Sequence, residues 1–163
     1  MDAINISYHF LGRLNREDFA EYGEGISNLK MQKLLYYSQK VHYSFYNEPL
    51  FIDDIEAWKH GPVIPKVYQF YKKYSNNVID IFELEEEIKN KKHISYDESM
   101  VLDFVLDKYG HLDAWAIRNL SHNEIDWKNN YLDGANYKIS LNDMFSTELK
   151  NEFDKFNRLL DEL

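Results

Sequence analysis

The amino-acid sequence predicts a mainly α protein, a single compact multi-helix domain with one central buried helix. Three observations predict it. Apolar side chains recur at three- and four-residue steps through several long stretches, the spacing of one face of a helix. Helix-capping and helix-breaking residues bracket those stretches, as in Ser27, Ser95-Tyr96-Asp97-Glu98 and Asn47-Glu48-Pro49. The 163 residues are the usual length of one domain, enough to bury a core without staples, so residues 1–163 are expected to form one unit.

The elements follow in order. Ile4, Tyr8, Leu11 and Leu14 predict a first helix over residues 3–14, followed by a polar loop from Asn15 to Gly25. Ser27 caps a longer helix to about Tyr46, in which Met31, Leu34, Leu35, Ser38, Val41 and Phe45 make one face, while Tyr36 and Tyr43 mark another. A helix apolar on more than one side is packed on each flank, so residues 28–46 are expected at the middle. Pro49 ends it, because proline denies the preceding residue its helical conformation and has no amide hydrogen. The acidic run Asp53-Asp54-Ile55-Glu56 is expected to begin a solvated helix, since carboxylates stabilise helix N-termini. Gly61-Pro62 then turns the chain, and Pro65 suits the first turn of a helix carrying Val67, Phe70, Tyr71 and Tyr74 inward.

Residues 76–94 stay open. Val78-Ile79-Asp80-Ile81-Phe82 suits one short β element near 78–84, and Glu83 to Lys92 is charged enough for helix or loop. The capping box at Ser95 and Glu98 opens a helix with Leu102, Val105, Leu106 and Tyr109 inward, stopped at Gly110. Asp113 starts a short helix through Leu120. A last helix over 142–163 places Phe145, Leu149, Phe153, Phe156, Leu160 and Leu163 on one side.

Composition narrows the function. No cysteine is present, which removes disulfides and thiolate metal sites and suits a reducing compartment. No signal peptide or membrane-length apolar run stands out, so the expected location is cytoplasmic. Asp and Glu number 28 against 19 Lys and Arg, a formal charge of -9 that repels phosphate backbones and argues against general nucleic-acid binding. Aromatic residues make up 16 % of the chain, large rings that serve either a core or a contact surface.

Motifs for chemistry are missing. His9, His42, His60, His93, His111 and His122 show no two-histidine metal spacing, and the cysteine pair that would complete His122-Asn123-Glu124 as a deaminase site does not exist. No hydrolase elbow, phosphate loop or dinucleotide fingerprint occurs. No metal or other cofactor is expected, and the chain is read as a non-enzyme. A carboxylate–imidazole pairing of Glu56 with His60 or His122 is the one hydrolase arrangement left to weigh. Lys30, Lys33 and Lys40 are expected on a solvated helix face.

The run Leu29-Lys30-Met31-Gln32-Lys33-Leu34-Leu35-Tyr36-Tyr37-Ser38-Gln39, then Pro49-Leu50-Phe51, then Ile55 to Tyr68 around Trp58-Lys59-His60-Gly61-Pro62-Val63-Ile64-Pro65, resembles the Panacea domain. That is the SocA-like, phage-associated (GepA-like) antitoxin family. Tyr109-Gly110, Leu120-Ser121-His122 and Trp127 continue the likeness in order, which spans roughly residues 3–130. The resemblance implies an antitoxin that binds and neutralises a protein toxin encoded nearby, or an adaptor that delivers a target to a cytosolic protease. It brings no catalytic residue with it.

The matched residues then acquire roles. Tyr36, Tyr37, Trp58 and Tyr68 are candidate contact anchors, with Asp53, Asp54 and Glu56 as steering charges. Trp58, Tyr68 and Trp127 suit core or groove positions, and Gly61, Pro62, Pro65 and Gly110 set turns and helix ends. Gln32, Lys33, Gln39, His60 and His122 lie inside apolar blocks, so they either form an internal network or line a recognition groove.

Overall fold

The computed structural model describes residues 1–14 and 25–163; most of the loop expected over 15–25 therefore lies outside the described residues. Helix α1, Ala3–Arg13, is capped by Asp2, whose carboxylate accepts the Asn5 amide. Helix α2, Asn28–Tyr46, is capped by the Ser27 hydroxyl and ends at Asn47, which takes the left-handed conformation that asparagine tolerates at a helix end. Fifteen of its 19 residues are buried, because α1 and six later elements pack around it. The expected central helix is therefore present. Its lysines Lys30, Lys33 and Lys40 are buried too, which corrects the expectation of a solvated lysine face.

The acidic segment after Pro49 departs from expectation. Ile55–Trp58 is strand β1 and not a helix start, and it pairs antiparallel with β2, Gly61–Val63, in the register Glu56–Val63 and Trp58–Gly61. Ile55 and Ala57 point inward while Glu56 and Trp58 are half-buried, the two-residue period of a strand. Lys59 and His60 form the hairpin turn, and Gly61 follows at φ +102°, a conformation that disfavours any side chain. Pro62 is tolerated because β2 is an edge strand of the three-stranded sheet ordered β2-β1-β3, with β3 at Lys138–Ile139.

Helix α3, Pro65–Tyr71, has its proline in the first turn and buries Val67 and Tyr71, whereas Phe70 is exposed. A 3-10 turn, Lys72–Tyr74, follows. The β element expected near 78–84 reduces to one bridge, Val78 to Ser27, with the Ile79 amide bonded to the Ile26 carbonyl. Only Ile79 and Leu84 of that run are buried, and Phe82 is 83 % exposed, so no alternating face exists to hold a strand. Helix α4 is Glu85–Lys89, and α5, Tyr96–Tyr109, starts on the predicted capping box: Ser95 and Glu98 exchange both side-chain-to-backbone bonds.

Helices α6, Ala114–Ser121, and α7, Ile125–Asn130, form a bent pair over α2 and the hairpin. The C-terminal helix is broken in two. Ser140 caps α8, Leu141–Met144, and Ser146 caps α9, Thr147–Asp161, so the chain turns at Phe145 and leaves that ring exposed. Leu149 and Phe153 still clasp the core, but Leu160 and Leu163 lie outside it. All these elements share one apolar cluster, and no described helix is long and apolar enough to cross a membrane.

Candidate functional site

Three of the polar groups on α2 pin the backbone that follows it. The Gln32 carboxamide accepts the Ile64 amide at 2.9 Å and donates to Asn28 at 2.8 Å. Gln39 accepts the Leu50 amide at 2.7 Å and donates to the Phe51 carbonyl at 2.8 Å. The Lys33 ammonium donates to the Pro62 carbonyl at 2.9 Å. Each is buried, and the two carboxamides are spent on internal hydrogen bonds to the chain's own backbone and to Asn28.

Tyr36 and Tyr37 are 0 % exposed and offer no surface to a partner, a correction to their assignment as contact anchors. Their rings fill the core and their hydroxyls reach α7. Tyr36 meets Asp126 at 2.6 and 2.8 Å, and Tyr37 donates to Glu124 at 3.1 Å while stacking on Tyr109. Lys40 closes the cluster, 2.8 Å from Glu124 and 3.4 Å from Asp126. Burial, then the neighbouring carboxylates, pushes both tyrosine hydroxyls well up, so they remain donors. Lys40, Glu124 and Asp126 do not stand out as a unit in the sequence. The available signal was Lys40 one helical turn after Tyr36 on a helix with no free face.

The three candidate carboxylates are dispersed. Asp53 accepts the Ala3 amide at 2.7 Å, Asp54 pairs with Lys138 at 2.7 Å, and Glu56 accepts from its own strand neighbour, the Trp58 indole, at 3.5 Å. None is bonded to His60 or His122, so the weighed hydrolase arrangement of Glu56 with these imidazoles is not assembled; the alternation of a strand replaced the helical face it needed. Among the described residues no three His, Cys, Asp or Glu side chains group to hold a metal ion.

What does come together lies where the hairpin meets α6 and α7. Trp127 is buried, donates its indole N–H to the Trp58 carbonyl at 2.8 Å, and stacks between His122 at 4.1 Å and Tyr131 at 4.7 Å. Trp58 itself is half-buried, edge-on to the half-buried Tyr68 at 5.1 Å. At the hairpin tip, His60 accepts from Arg118 at 3.2 Å and sits edge-on to Trp115 at 5.9 Å, with the Arg118 guanidinium 4.9 Å from the Trp115 ring. Trp115 is 58 % exposed, and Leu120 of α6 and Ile125 at the start of α7 are 39 % and 68 % exposed. Trp115, Arg118 and His122 are spaced by three and four residues, so one face of α6 and its end carries all three; neither Trp115 nor Arg118 was singled out from the sequence.

Burial, then cations, lowers the basic groups here. Lys33 falls to about 7 through burial and Arg118. His122 falls to about 4 through burial, then Arg118, Lys33 and His60. An open groove of about 420 Å³ is lined by Tyr109, Leu112, Leu120, Glu124 and Leu149 among others.

The model of the family described as antitoxin SocA-like, Panacea domain, matches residues 31–128. That stretch is narrower at the N-terminus than the likeness read from the sequence, and it holds α2, the hairpin, α6 and the start of α7, which together build the whole hairpin-tip cluster. No curated protein and no solved structure matches the chain. With more than half of its length matched by that model, the chain belongs to the antitoxin SocA-like, Panacea domain family.

Proposed function

We propose that this protein is the antitoxin of a toxin–antitoxin pair, a cytoplasmic binding module that neutralises a cognate protein toxin by contact and makes or breaks no bond. The docking face is the one formed by the hairpin tip, α6 and the start of α7. One observation carries that choice: an indole 58 % exposed, braced by an arginine and a histidine, on a pair of helices that also exposes Leu120 and Ile125. Tryptophan and arginine are the residues that dominate binding energy at protein interfaces, and apolar neighbours exclude water around them. Family membership supports the role and supplies the class of partner. Trp58, Tyr68, His60 and His122 keep their place in this reading, as the supports and rim of that face. Asp53, Asp54 and Glu56 act only through the long-range field of a chain with net charge -9.

Co-expression tests it. The chain should rescue growth from the toxic product of the adjacent gene and co-purify with that product, and Trp115→Ala should lose both while remaining folded. Rescue without physical association sinks the reading, and recovery of a protease subunit in place of a toxin moves the role to an adaptor.

A further inference from the structure

We propose that Lys33, His60, Arg118 and His122 form a socket for one carboxylate, an acidic side chain on the protein partner that docks against α6. This rests on the docking face argued above and names the chemistry that the face recognises.

Convergence is the first ground. Three separate elements deliver the groups: Lys33 from α2, His60 from the hairpin turn, and Arg118 and His122 from α6 and its end. Gly61 lets them approach, because a side chain placed there would lie 2.6 Å from the Ser121 hydroxyl and 3.0 Å from the Lys33 ammonium. Lys33 reaches the turn from beneath through the Pro62 carbonyl, and Arg118 bonds His60 from the side.

The second ground is the lack of a counter-charge. The titratable neighbours that perturb these groups are basic throughout: Arg118 for Lys33; Arg118, Lys59 and Lys33 for His60; Arg118, Lys33 and His60 for His122. The one opposing influence is the neutral Lys59 carbonyl beside His122. In a chain with 28 acidic residues against 19 basic ones, that is an unexpected place to find no carboxylate. The acids of α7 are already engaged, Glu124 and Asp126 with Lys40 and the two tyrosines, and Glu56 of β1 accepts from the Trp58 indole.

Unmet donors supply the third. Arg118 Nε, a donor in every protonation state, is buried and lacks a hydrogen-bond partner among the described residues, while its terminal nitrogens donate to Asn119 and His60. His122 Nε2 is likewise buried and unpartnered among them, and donates in the tautomer or imidazolium that carries its proton there. Lys33, fully buried, makes one hydrogen bond among the described residues, to the Pro62 carbonyl, and keeps at least one further N–H in either protonation state. Buried donors of this kind are rare, and an acceptor that arrives with a partner satisfies them.

The chemistry selects a lone carboxylate. An arginine presents a planar fork that matches a carboxylate, whereas a nucleic-acid backbone brings a row of charges toward a body of net charge -9. Trp115, exposed at the rim, covers the apolar residue that flanks the acid on the partner.

The test uses the intact chain and acetate as the side-chain mimic, with chloride and inorganic phosphate at matched ionic strength. NMR of the histidine rings should show acetate moving the His60 and His122 signals and raising the His122 pKa by about one unit, as a nearby opposite charge does. Arg118→Gln, a substitution at a half-exposed site, should abolish that response, and Lys33→Met should weaken it. Equal responses to chloride and acetate, a response to phosphate alone, no movement of either ring, or an unchanged response in Arg118→Gln would each overturn the socket. Failure of the co-expression rescue while acetate still seats removes the toxin-neutralising role and leaves the socket. Rescue that survives both Arg118→Gln and Lys33→Met removes the socket from the interface and leaves the role.

Discussion

The Tyr36 hydroxyl lies 2.6 and 2.8 Å from the two carboxylate oxygens of Asp126, across ninety positions of sequence and with both side chains buried. The pair fastens α7 to the central helix, and the Lys40 ammonium, 3.4 Å from Asp126, completes a buried charged cluster. Removing one partner of a buried charge cluster is more damaging than removing a neutral donor. Asp126→Ala should therefore lower the unfolding free energy by about 3–5 kcal/mol, and Tyr36→Phe by about 1–2 kcal/mol. Urea unfolding of the two single variants and the double variant checks this: a double variant equal to the sum of the singles would show that the bond carries no coupling.

This cluster also shows what was legible in the sequence. The long central helix, the capping box at Ser95 and Glu98 and the proline start of α3 were readable, because each depends on neighbours within one helical turn. The hairpin was not, since four residues of strand carry no periodicity strong enough to outweigh an acidic run that suits a helix start. The C-terminal break at Phe145 was hidden for a related reason: Ser140 and Ser146 cap two helices whose apolar residues continue in nearly one phase. Of the candidate site, His60, His122 and Trp127 were singled out, but the exposed pair Trp115 and Arg118 was passed over. A polar face on a short helix looks like solvated surface until the fold sets a hairpin against it.

Lys33 makes stability depend on pH in a definite direction. Its folded pKa is about 7, against an unfolded value of 10.5, so between these limits the unfolded chain holds a proton that the folded chain has lost. Stability then rises with pH across that window, and the contribution fades as pH falls through 7. For one proton the slope approaches about 1.4 kcal/mol per pH unit. Unfolding measured at about pH 7 and about pH 9 should show wild type gaining on Lys33→Met by about 2 kcal/mol. Parallel curves for the two proteins would mean that Lys33 keeps its charge inside the fold.

Gly61 is required by geometry on two counts. Its φ of +102° strains any L side chain, and the added Cβ would strike the Ser121 hydroxyl at 2.6 Å. Gly61→Ala should destabilise by about 1–3 kcal/mol, in contrast to the small gain that such a change brings at a compatible site. Thermal unfolding reads the stability. The His60 ring signals should shift in the same variant, because the turn that holds His60 against Arg118 must open; unchanged signals would show that the hairpin tip is independent of the glycine.

Trp115 and Trp127 lie twelve residues apart and separate binding from folding. Trp127 is buried between His122 and Tyr131 and bonded to the Trp58 carbonyl, so Trp127→Ala leaves a cavity and an unpaired carbonyl and should lower stability by about 3–5 kcal/mol. Trp115 is 58 % exposed, with Arg118 and His60 against it, so Trp115→Ala should change stability by less than about 0.5 kcal/mol. If α6 is the docking face, the same substitution should weaken toxin binding by about 2 kcal/mol, roughly thirtyfold, read by calorimetric titration of the purified pair. The two effects are predicted to be decoupled in Trp115→Ala, since an exposed ring contributes little to the fold that displays it. An affinity unchanged by Trp115→Ala in a protein of unchanged stability would move the interface to another face of the molecule.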